Sequence, residues 1–154
     1  MKYCRFLCLF ALLLLWGCSA PASGPNPGAI VPGQGVKEVA VGASREDVEK
    51  ALGAPDTLSK NPFNADNVIA EYFSKGLEIS YDRDRAGSIV IHPEDGKYKA
   101  YEGSTKEGAW VGSTPAEVKK LMGEPVKELS QALIYDGLWV RLTKDGKIES
   151  ISIE

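Results

Sequence analysis

Apolar positions recur at helical spacing in two short stretches of this chain and alternate in most of the others. Val48 and Leu52 lie four apart, and 70 residues on Val118, Leu121 and Met122 repeat the stripe. Helix signals bracket each stripe. Ser44 and Thr114 are placed as N-caps, and Asp47 and Glu117 follow in the capping-box position, where Glu fits better than Asp. Pro115 suits a first helical turn, Gly53 and Gly123 suit a C-terminal stop, and Pro55 and Pro125 block continuation.

Period-two alternation follows each stripe. Residues 68–74 and 77–81 flank Lys75-Gly76, and residues 131–135 and 138–143 flank Asp136-Gly137; both read as two-residue hairpins. Residues 88–92 and 147–153 supply a third strand to each group. Residues 56–67 read as a polar loop, and residues 97–101 as a short additional strand. The expected fold class is α+β and two-layer: tandem repeats of one helix plus a three-stranded antiparallel meander, forming one sheet with the helices on one face. Repeat 1 spans residues 37–92, a linker 93–109, and repeat 2 residues 110–154.

Hairpin pairing sorts the side chains by face, because residues flanking a two-residue turn share one. Leu133, Tyr135, Leu138, Val140 and Leu142 fall on the core face, as do Val68, Ala70, Tyr72, Leu77, Ile79 and Tyr81. The outer face then carries Phe73, Ile134 and Trp139 among Glu71, Glu78 and Arg141. Exposed apolar side chains with a charged rim make these six the candidate partner-binding residues.

The first residues do not belong to this pattern. Lys2 and Arg5 precede an apolar run over residues 6–16, which suits a signal-peptide core and is too short to span a bilayer. Leu15-Trp16-Gly17-Cys18-Ser19 resembles the lipobox of bacterial lipoproteins, in which a cysteine receives a diacylglycerol thioether. That resemblance implies a signal peptide over residues 1–17, lipidation of Cys18 and, with Ser19 next, the outer membrane, facing the periplasm. Residues 18–36, rich in Pro, Gly and Ser, read as the tether of that anchor.

Cleavage before Cys18 removes Cys4 and Cys8, so the mature chain has no cysteine pair to oxidise. The 18 basic residues, less Lys2 and Arg5, face 21 acidic ones, a net charge of −5. With no basic run, nucleic acid is excluded as a partner.

Catalytic signatures are sparse. His92 is the one histidine, and no serine sits in a nucleophile elbow. Asp82-Arg83-Asp84 opens like a calcium loop, but Ala86 and Pro93 occupy positions that need oxygen ligands. Neither an enzyme nor a cofactor is expected.

The repeated pattern, carried by Gly42, Ser44, Val48, Leu52, Gly53 and Pro55 and again by Gly112, Thr114, Val118, Met122, Gly123 and Pro125, resembles the small outer-membrane lipoprotein family of BamE (SmpA/OmlA). Two copies in one chain look like the tandem arrangement of the β-lactamase inhibitory protein. The resemblance implies a non-enzymatic module that binds an envelope protein, in the inhibitor's case with the concave sheet face. A monomeric lipid-anchored adaptor is expected. The alternatives are an inhibitor of a secreted hydrolase, and a small-ligand carrier with Tyr98, Tyr101 and Trp110 around a cleft.

Overall fold

The two capped stripes each make one short helix in the computed structural model, which describes residues 24–154 apart from Phe63. Helix α1 is Arg45–Leu52 and α2 is Pro115–Met122, each eight residues long. The Ser44 hydroxyl accepts from Asp47 N at 3.1 Å. In α2 the capping box is complete: Thr114 Oγ1 accepts from Glu117 N, and Glu117 Oε2 accepts from Thr114 N at 2.7 Å. Each helix buries one residue fully, Val48 in α1 and Val118 in α2.

Strands dominate the rest. Three of two residues each, β1 (Ile30–Val31), β2 (Gly35–Val36) and β3 (Val39–Ala40), form a small antiparallel sheet. The others are β4 (Thr57–Asn61), β5 (Asn64–Tyr72), β6 (Leu77–Asp82), β7 (Arg85–Ile91), β8 (Lys127–Leu129), β9 (Ala132–Tyr135), β10 (Leu138–Leu142) and β11 (Ile148–Ile153). They form one antiparallel sheet in the order β4-β5-β6-β7-β11-β10-β9-β8. The two halves of the chain meet at its centre, where Ser152 on β11 pairs with Val90 on β7.

This corrects the expected α+β class. The described residues are mostly β: each half contributes four strands rather than three, and the helices do not form a layer by themselves. The core packs the inner sheet face against Val48 and Val118, against Ala29, Ile30, Val36 and Val39 of the small sheet, and against Tyr101, Ala109 and Val111. The helices are too short to cover eight strands, so coil and the small sheet share that work. The tether read over residues 18–36 is corrected from Gly24 onward, since Ile30 is 1% exposed and Gly24 N donates to Gly108 O at 3.0 Å. Cys18, the signal peptide and residues 19–23 lie outside the described residues.

Asp136-Gly137 turns as the sequence suggests, with Tyr135 opposite Leu138. The first hairpin differs. Tyr72 pairs with Leu77, and a 3-10 turn over Phe73–Lys75 with Gly76 connects them. The connection is two residues longer than expected, and a two-residue change preserves facing. Ala70, Tyr72, Leu77, Ile79 and Tyr81 are therefore buried as anticipated, although the turn is not the one read from Lys75-Gly76. No strand forms over residues 97–101.

Candidate functional site

Register places one continuous row of side chains on the outer face. Across the first half it runs Thr57, Glu71, Glu78, Val90; across the second, Ser152, Trp139, Ile134, Lys127. The two halves match strand for strand about the hairpins, so Glu71 corresponds to Ile134, Glu78 to Trp139, and Ser80 to Arg141. All six predicted binding residues lie on or beside this face, but they fall into two separate environments.

In the first half a strap covers the row. Residues 93–101 leave β7, cross the outer face and return, with Lys99 N donating to Phe73 O at 2.9 Å and Tyr101 N to His92 O at 3.2 Å. Asp95 shapes the strap by accepting from Lys97 N and Tyr98 N. Tyr98, 5% exposed, is its anchor. Its ring stacks on His92 with centroids 3.9 Å apart and meets Phe73 edge-on at 5.4 Å. Its hydroxyl donates to Glu71 Oε1 at 2.5 Å. Lys97 donates to the same oxygen while lying over the Phe73 ring, and Thr57 Oγ1 donates to Glu71 Oε2 at 2.5 Å.

Burial pushes the Glu71 carboxyl up, but the donors Lys97, Thr57 and Tyr98 outweigh it and hold the carboxyl down at about 2. Burial, and then its bond to Glu71, push the Tyr98 phenol up. Glu71 is therefore an anion bound from three sides. Glu78 Oε2 lies 3.8 Å from His92 Nε2, and this nitrogen is buried with no hydrogen-bond partner. The donors Lys97, Tyr98 and Thr57 converge on Glu71, and these contacts describe a latch. Phe73, expected to stand out from a strand, is half-buried beneath it.

Among the described residues no strap crosses the row in the second half. Trp139 is 42% exposed, Arg141 and Lys127 are exposed, and Ile134 is half-buried. Val90, Leu129, Gln131, Trp139, Arg141 and Ser152 border an open groove of about 740 Å³. Among the described residues, neither Lys127 nor Arg141 has a side-chain hydrogen bond or an ion pair.

Sequence reasoning missed Lys97, Thr57 and Lys127. Lys97 and Thr57 act through contacts at a distance in sequence, and Lys127 lies in an edge strand that was not read. The 70-residue offset of the helices also matches Thr57 to Lys127 and could have found both. Tyr98, Tyr101 and Trp110 do not line one cleft: Tyr98 is on the outer face, Tyr101 donates to Glu38, and Trp110 packs beside Gly24 and Ser104. Among the described residues no three His, Cys, Asp or Glu side chains gather as metal ligands.

No family model matches the chain, and no curated protein matches it. Two solved structures share its fold at low identity. One is a DUF4309 family protein (YjgB) from Bacillus subtilis, with a TM-score of 0.54 and 16% identity, over 79% of this chain and 87% of that one. The other is a cysteine-rich secretory protein (SAV1118) from Staphylococcus aureus, with a TM-score of 0.50 and 16% identity, over 83% of this chain but 49% of that one. At this identity the likeness is one of fold alone.

Proposed function

We propose that this chain is a non-enzymatic, lipid-anchored outer-membrane protein, facing the periplasm, that binds another envelope protein through the outer sheet face of its second half. The observation that carries the reading is Trp139, 42% exposed at the middle of an open row whose counterpart in the first half is latched shut. Large aromatics in a concave apolar site with a polar rim are the usual anchors of protein interfaces. The acidic net charge, without a basic run, supports a protein partner over nucleic acid.

The lipid anchor is read from Cys18. Gly24 is already packed, so six peptide steps separate it from the lipidated residue, a reach of at most about 20 Å. The domain would then work close to the bilayer, on partners in or near the membrane.

Affinity capture of the full chain from envelope extracts tests the reading. Wild type is expected to retain a discrete envelope protein that Trp139→Ser loses, with both chains folded by circular dichroism. Retention of every wild-type partner by Trp139→Ser overturns it.

A further inference from the structure

The strap shows what this fold lays across its own outer face, and the chemistry is complementary row by row. In the first half the row centres on two carboxylates, Glu71 and Glu78, and the strap brings an ammonium, a phenol and an aromatic ring. The second half inverts this pattern. Its centre is apolar, Ile134 and Trp139 standing where Glu71 and Glu78 stand, and two cations that have no partner among the described residues flank it, Lys127 on β8 and Arg141 on β10. Glu149 and Glu154 border the opposite, β11 side of the groove.

We propose that the Trp139 row takes an extended segment of a partner protein, carrying an aromatic or aliphatic side chain flanked by carboxylates, laid over the strands as residues 93–101 are laid over the first half. This rests on the docking role proposed above and adds the chemistry of the partner. The apolar side chain covers Trp139 and Ile134. Its acidic neighbours meet Arg141, whose guanidinium can donate two N–H groups to one carboxylate, and Lys127. Glu149 and Glu154 repel the same carboxylates, so they fix which way round the segment lies.

Fluorescence anisotropy with labelled peptide probes tests this, titrating the full chain in detergent micelles. One set of short peptides places tyrosine, phenylalanine or leucine between glutamates; the matched set replaces the glutamates by lysines. The acidic set is expected to bind at least about tenfold more tightly. Trp139→Ser is expected to weaken that binding by about tenfold, and Lys127→Glu with Arg141→Glu to reverse the preference. Arg141→Gln, which adds no charge, is the second variant should the reversal fail to fold. Equal affinity for the two sets, no binding of either, or acidic binding that survives Trp139→Ser overturns the proposal. A partner captured through Trp139 by a chain without charge preference sinks this inference and leaves the docking role standing. Capture unaffected by Trp139→Ser sinks both.

Discussion

The two halves of the sheet share a strand pattern and part company on the outside. Glu71 in the first half is tied down by Lys97, Tyr98 and Thr57, with Glu78 3.5 Å from the Tyr98 hydroxyl, whereas among the described residues no strap meets their counterparts Ile134 and Trp139. The hairpin tips differ in the same way. Gly76 and Gly137 both have φ of +67° and both precede the strand that returns, but they touch different coils. Gly76 lies under the strap, where a Cβ would come within 2.3 Å of Lys99 O. Gly137 lies against the N-terminal arm, where a Cβ would come within 2.4 Å of Gly33 N. Each repeat thus delegates a tip to a segment outside the repeats. One repeat closes its outer face in doing so, and the other leaves it open.

The largest effect should come from those glycines. Alanine at either tip combines a strained φ with a backbone clash, and a loss of about 3 kcal/mol is expected in urea unfolding. Hydrogen exchange then separates the halves. Gly76→Ala should deprotect Lys99 N and Tyr101 N, and Gly137→Ala should deprotect Gly33 N, which donates to Gly137 O. Tyr98→Phe comes next, because it removes a charge-assisted bond to a half-buried carboxylate; about 2 kcal/mol is expected.

The same latch sets a pH dependence. The folded Glu71 carboxyl is held down at about 2, below its ordinary value of 4.5, so the unfolded state binds more protons between the two. The latch's contribution is present in full above about pH 4.5 and is lost as pH falls through about 2. Urea midpoints followed from pH 7 to pH 3 should decline less steeply in Tyr98→Phe than in wild type. A smaller contrast lies in the helix caps. Thr114→Ala breaks a reciprocal box and should cost about 1.5 kcal/mol, against about 1 kcal/mol for Ser44→Ala, where no bond returns to the cap N–H. Smallest is Trp139→Ser, which should move stability by no more than about 0.5 kcal/mol, because the ring lies at the surface.

Local signals were legible where local chemistry decides the structure. Both caps, both helix stops and the Asp136-Gly137 turn follow from residues within one turn of each other. Facing in the first hairpin was legible despite the wrong turn, because an even change in loop length leaves parity intact. The edge strands β4 and β8 were not. Every residue of Lys127–Leu129, and all of Thr57–Asn61 but Asn61, is exposed, so no alternation marks them. The arm from Gly24 looks like a tether by composition, yet Ala29, Ile30 and Val36 are core residues. The α+β expectation failed on these two points together. At the candidate site Trp139 and its neighbours could be placed on the outer face, but Lys97 and Tyr98 reach Glu71 across 26 and 27 residues. No short-range pattern encodes that contact.

Paired in-cell photo-crosslinking tests the contrast between the halves most directly. A photoreactive residue would replace Trp139 in one full chain and Ser80, the first-half counterpart of Arg141, in another. A discrete envelope-protein adduct from position 139, with none from position 80, is the expected result. Adducts of equal yield and identity from both positions, or none from 139 in a folded and anchored chain, would contradict the claim that the uncovered half is the working surface.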